Sequence, residues 1–195
     1  MPRIGFLGGT FDPVHIGHLV AAVNVRHALA LDRVLLVVAN VPWQKVGSRA
    51  VTAAVDRLAV VEAAVGDLPG IEASSIEIDR GGRSYTADTV AALAALHPGA
   101  GLHCIVGADV AAELGTWERI EEVRDGVTLV VVNRPGASPP TGLDGWRVEQ
   151  VEMPALDISS TDLRARVADG RPLDYLLPEA AIHCIRERGL YIGGR

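Results

Sequence analysis

A single lysine, two cysteines and no apolar run approaching the ~20 residues of a membrane span mark this 195-residue chain at first sight. Each scarcity excludes something. Without a long apolar run, no membrane-spanning helix is expected. Cys104 and Cys184 lie far apart, each inside an apolar run, and read as buried free thiols, which points to a reducing, cytoplasmic setting. Met1–Phe6 enters a strand-like run directly, with no signal-peptide pattern, so no export is expected. Basic residues are outnumbered, 18 to 24, and the net charge of −6 argues against a general nucleic-acid binder. Of the 18 basic residues only Lys45 is not arginine, a bias that looks like GC-rich coding rather than physical demand. A lysine that survives such a bias invites the reading that a compact, flexible point charge is needed there, although chance explains it equally.

What is present is a real core. Hydrophobic residues make up 49% of the chain, which excludes intrinsic disorder, and the length suits one domain over residues 1–195. Apolar runs and helical patterns alternate along it. Strands are expected at Arg3–Gly8, Arg33–Ala39, Leu102–Val106, Val127–Val132 and Arg147–Val151, with one or two strand pieces over Ile71–Ile78. Helices are expected at about Ile16–Leu31, Thr52–Val65, Thr86–Leu96 and Pro178–Arg188, and from Ile158 to Ala168 at the start of a C-terminal helical part. Strands separated by helices imply a three-layer, Rossmann-like α/β fold: a parallel sheet with helices on both faces. Ligands in such sheets bind beyond the carboxyl ends of the strands, so the segments after residues 8, 39, 106 and 151 are the places to look.

The first of these reads Gly8-Gly9-Thr10-Phe11-Asp12-Pro13-Val14-His15-Ile16-Gly17-His18. Glycines after a strand let backbone N–H groups approach a phosphate, and the start of a helix favours anions. His15 and His18 share one face of that helix, and Gly17 leaves room between them for a flat ring or a sugar. A tight turn with two surface histidines is the plainer alternative for an isolated His-x-Gly-His. The segment lacks both the dinucleotide and the Walker patterns. Farther on, Ile158-Ser159-Ser160-Thr161-Asp162-Leu163-Arg164 gathers three hydroxyls and a guanidinium at a helix start, a second set of phosphate-binding groups. Alone, it would be an ordinary cap beside a solvated arginine.

The first segment resembles the signature of the nucleotidyltransferase superfamily that shares a His-x-Gly-His site with class I aminoacyl-tRNA synthetases. The second resembles the Ile-Ser-Ser-Thr-x-x-Arg signature of its bacterial adenylyltransferases. With Lys45, Ser84-Tyr85-Thr86, Gly107-Ala108-Asp109 and Trp117 in this order, nearly the whole chain is similar to the nicotinate mononucleotide adenylyltransferases. That resemblance implies transfer of the adenylyl group of ATP to nicotinate mononucleotide, with His15, His18, Lys45 and Arg164 stabilising the transferring phosphates. It implies an ATP site drawing on Gly8, Gly9, Thr10, Phe11, Gly17, Gly107, Asp109, Ile158, Ser159, Ser160 and Thr161. The acceptor would meet Ser84, Tyr85, Thr86 and Trp117, the last stacking on the pyridine ring. Trp117 alone reads as a core residue, and Thr86 as a helix N-cap with Asp88 in the first turn. No carboxylate cage for a metal is visible, so Mg²⁺ is expected to arrive with ATP. The expected partners are the two substrates, with neither nucleic acid nor membrane, and a homo-oligomer is compatible with the sequence.

Two departures from the family pattern stand out: Glu118 where an aromatic residue is usual, and Pro42-Trp43-Gln44-Lys45 in place of Pro-Pro-His-Lys. The competing readings are a pantetheine-phosphate adenylyltransferase, which usually has Thr in place of His15, and a non-catalytic nucleotide sensor.

Overall fold

The structure is a computed structural model and describes residues 1–42, 51–133, 136 and 141–193. Six strands form one sheet: β1 (Arg3–Gly9), β2 (Arg33–Val38), β3 (Ile71–Ser74), β4 (Gly101–Gly107), β5 (Thr128–Asn133) and β6 (Val148–Glu152). Their order is β3-β2-β1-β4-β5-β6, and all five neighbouring pairs are parallel. The helices are α1 (Ile16–Ala28), α2 (Ala54–Val65), α3 (Ile76–Arg80), α4 (Thr86–Leu96), α5 (Ala108–Ala111), α6 (Ile120–Gly126), α7 (Ser160–Asp169) and α8 (Glu179–Glu187).

Consecutive residues of β2 show why the sheet is covered on both sides. Val34, Leu36 and Val38 join one core with residues from α1, α2, α7 and α8, whereas Leu35 and Val37 join a second core with residues from α4 and α6. Side chains alternate across a strand, so a continuous apolar run serves two cores at once. This is the three-layer Rossmann-like fold expected from the run pattern.

Three expectations need correction. The segment expected to be strand as far as Ile78 is strand only to Ser74, and Ile76–Arg80 is helical. Between β4 and β5 the chain forms α5, a single 3-10 turn at Leu114–Thr116 and α6, none of which the apolar pattern announced. Cys104 is buried as expected, but Cys184 is only partly so; both thiols are free.

The strand order reverses between β1 and β4. The chain runs outward from β1 through β2 and β3, then returns to place β4 on the other side of β1. Their diverging connections open a crevice at the carboxyl ends, where such sheets receive ligands.

Candidate active site

A cavity of about 450 Å³ occupies that crevice, within the range usual for small-molecule sites. Gly8, Gly9 and Thr10 form one lip at the end of β1, and Gly107 and Asp109 form the other at the end of β4. His15, Gly17 and His18 line it at the start of α1. Thr86, Ser84 and Trp117 line it as well. Separated by as many as 109 positions in the chain, these residues meet because the sheet brings the strand ends together.

His15 occupies the N-cap of α1 in extended conformation, and its backbone N–H donates to Nδ1 of His18 (3.2 Å). The two rings stack with centroids 3.7 Å apart, and the edge of Phe11 meets His18 at 5.0 Å. Phe11 is buried and supports the histidines without itself lining the cavity. Burial pushes the His15 imidazole down to about 4, so the ring is neutral near pH 7. Its Nδ1 is buried with no hydrogen-bond partner. At Gly17 a Cβ would lie 3.1 Å from that Nδ1, so the missing side chain first of all preserves the His15 ring. At Gly9 a Cβ would lie 2.9 Å from the Phe11 ring.

On the opposite wall Tyr85, not Thr86, is the N-cap of α4, and no side chain caps that helix. Thr86 is the first helical residue and faces the cavity; Tyr85 is half-buried and does not line it. Trp117 both packs against the second core and lines the cavity, so its two sequence readings describe two faces of one ring system. Glu118 is exposed and lies outside the cavity lining. Its neighbour Arg119, in left-handed conformation, pairs with Asp88 on α4 (2.5 Å), which ties the Trp117 loop to the helix carrying Thr86. Asp109 folds back so that its Oδ1 lies 2.6 Å from where a Cβ on Gly107 would be.

The second sequence motif does not line the cavity; it grips the first. Ser159 caps α7 by accepting from the Asp162 N–H (3.2 Å). Ser160 donates its hydroxyl hydrogen to the Pro13 carbonyl (2.8 Å). Arg164 donates through Nη1 to the Asp12 carbonyl (2.7 Å) and through Nη2 to the Thr161 hydroxyl (3.1 Å). Ile158 is half-buried against the first core. Lys45 and Trp43 lie outside the described residues.

The sequence reading passed over two buried charged residues beside the site. Arg57 on α2 is 1% exposed, and its guanidinium donates to four carbonyls: Thr52 (2.8 Å), Thr10 (2.6 Å), Ala39 (2.6 Å) and Asn40 (3.1 Å). It joins the ends of β1 and β2. Glu77 on α3 lines the cavity at 6% exposure. Burial pushes its carboxyl up, partly offset by the neighbouring hydroxyls of Ser84 and Thr89. A polar residue inside an apolar-looking segment was the available signal for both. Tyr191 closes the first motif from behind, where burial and the neighbouring Asp12 carboxylate push its phenol up.

The donors at the His15 end suit an anion: backbone N–H groups, two imidazoles and a guanidinium behind them. Among the described residues no group of three His, Cys, Asp or Glu side chains could hold a metal ion. Nor is any described helix long and apolar enough to cross a membrane.

Comparison with known proteins agrees with this geometry. The Cytidylyltransferase-like family model matches residues 6–166. A protein of Streptomyces coelicolor named probable nicotinate-nucleotide adenylyltransferase is 47% identical over 96% of this chain and 100% of its own. One of Corynebacterium kroppenstedtii with the same name is 44% identical over 98% and 92%. The chain belongs to the nicotinate-nucleotide adenylyltransferase family. For this family member, the fold also matches a distant solved structure, the nicotinic acid mononucleotide adenylyltransferase of Plasmodium falciparum complexed with NaAD. That structure has a TM-score of 0.80 at 16% identity, covering 98% of each chain.

Proposed function

We propose that this protein transfers the adenylyl group of ATP to the 5′-phosphate of nicotinate mononucleotide. The products are nicotinate adenine dinucleotide and pyrophosphate, and the step belongs to NAD biosynthesis. The observation that carries the reading is the cavity itself. A stacked His15–His18 pair at a helix start faces, across the β1–β4 crevice, a wall built from Trp117 and the start of α4.

The attacking group is a phosphate monoester with a second pKa near ~6, so it is largely dianionic at pH 7 and needs no general base. What remains for the protein is to align two anions and to offset charge on the departing pyrophosphate. His15 and His18 meet the phosphates, with Mg²⁺ entering as part of the ATP substrate. Arg164 holds the loop that presents them, and its guanidinium adds positive potential behind it. Lys45 supplies a further cation. Thr10, Gly8 and Gly9 receive the nucleotide, and Asp109 takes a ribose hydroxyl. Trp117 stacks on the pyridine ring, and the N–H groups at the start of α4 receive its carboxylate. Work on two soluble substrates fits a cytoplasmic protein.

The test is pyrophosphate release with ATP and Mg²⁺ against nicotinate mononucleotide, nicotinamide mononucleotide and phosphopantetheine. Preference for the nicotinate compound is expected; activity with phosphopantetheine alone would overturn the acceptor. In the same assay His18→Ala should lower turnover by ~10²–10³, as for one lost transition-state donor.

A further inference from the structure

Glu77 takes no part in the transfer just described, yet it is the buried member of the two carboxylates that line the cavity; the other, Asp109, is exposed. A buried carboxylate is costly to hold, and packing alone would be served at lower cost by an uncharged residue. Its contacts show what it holds. Its Oε1 accepts from the Thr89 hydroxyl (2.5 Å), and the Ser84 side chain lies near enough to help hold its charge.

Those two partners bracket the first turn of α4. Ser84 lies one residue before the N-cap Tyr85, and the N–H of Thr89 makes the first intrahelical bond, to the Tyr85 carbonyl (3.3 Å). Between them Thr86, Ala87 and Asp88 present N–H groups that the helix cannot satisfy. Ser84 is fixed from the sheet side as well. Its hydroxyl accepts from the Asn40 N–H (2.8 Å), and its own N–H donates to the Val41 carbonyl (3.1 Å). One carboxylate therefore holds the far end of the turn that faces the acceptor half of the cavity, and lies beside Ser84, which links the near end to the end of β2.

We propose that Glu77 is a positioning residue for the acceptor: through its bond to Thr89, and from its place beside Ser84, it sets the first turn of α4 where its N–H groups can receive the carboxylate of the pyridine ring. The proposal rests on the acceptor reading above. Glu77 touches neither substrate; it controls discrimination between acid and amide by fixing the donors that tell them apart. Donors displaced by a fraction of an ångström would lose affinity for the charged acceptor and spare the ATP half of the site, which stands on different elements.

The experiment is steady-state kinetics of wild type, Thr89→Val, Thr89→Ser and Glu77→Gln, varying ATP and each mononucleotide separately. Thr89→Val keeps the shape and removes the hydroxyl. It should raise KM for nicotinate mononucleotide ~10-fold or more and cut the acid-over-amide ratio of kcat/KM similarly, as for one lost bond to a charged group. KM for ATP should stay within about threefold, and Thr89→Ser should restore both acceptor readouts to a similar margin. Glu77→Gln, which can still accept from Thr89, should fall between wild type and Thr89→Val. An unchanged ratio in Thr89→Val, or equal losses toward both substrates that Thr89→Ser fails to rescue, would overturn the proposal. Wild-type enzyme that does not prefer the acid would instead fail the acceptor reading, a result visible before any variant is made.

Discussion

At the scale of single residues, His15 shows how burial sets chemistry. Its ring is 8% exposed, with a folded-state value of about 4 against 6.5 for the free group. Between those values the unfolded chain binds more protons than the folded one, so stability rises with pH through the window and falls as pH drops. From pH 7 to 4.5 wild type should lose about 2 kcal/mol more than His15→Asn, a difference that urea denaturation at the two pH values would detect. Equal losses would show that His15 is already solvated. Glu77 has the opposite sign: its raised carboxyl favours the folded state at low pH and loses that advantage as pH rises. The His15–His18 pair was legible from its spacing alone, whereas the reason for Gly17 was only half legible. Room for a ligand was foreseen, but relief of the His15 ring depends on a rotamer that no spacing encodes.

Among the elements, α7 acts as a clasp on the loop that precedes α1. Ser160 and Arg164 hold two successive carbonyls, Pro13 and Asp12, that lie 147 and 152 positions away in the chain. Arg164→Lys keeps the charge but loses the planar fork that bonds Asp12 and Thr161 together. It should lower kcat/KM for ATP by ~10-fold, with a fall of only a few degrees in melting temperature, since one to two bonds of this kind are at stake. A loss confined to thermal stability would make the clasp purely structural. The sequence marked this motif as phosphate-binding, but its grip on the first motif required the tertiary structure. Long apolar runs and long helices were read correctly because their period repeats several times. Residues 108–126 defeated that method because the helices there have four, three and seven residues, shorter than any window in which a period of 3.6 can show. In the same way, Ile76-Glu77-Ile78 mimics strand alternation inside a five-residue helix.

For the whole molecule, the sheet divides the apolar residues into two cores that share no side chains. Leu36 on β2 belongs to one and Leu129 on β5 to the other, and both are fully buried. Each Leu→Ala change should cost ~2–5 kcal/mol, with the double variant additive to within ~0.5 kcal/mol because the sites lie on opposite faces and three strands apart. Urea denaturation measures all three; a large coupling term would mean that the sheet transmits strain between its faces. The layered architecture was legible because parallel crossovers are almost always right-handed, leaving few arrangements open. The buried charges were not. Nothing in a helix pattern says that Arg57 will find the carbonyls of Thr10 and Ala39, since that depends on where two strands end.

Cys104 sits in the lining of the cavity, and burial pushes its thiol up to about 12, leaving roughly one molecule in 10⁴–10⁵ as thiolate near neutral pH. The Cys104 sulfur is thus present in the site without being a nucleophile. A thiol-directed electrophile delivered into this cavity would find Cys104 protonated and unreactive, and peroxide would meet the same inert thiol. An inhibitor aimed at this cysteine must therefore rely on its reversible contacts.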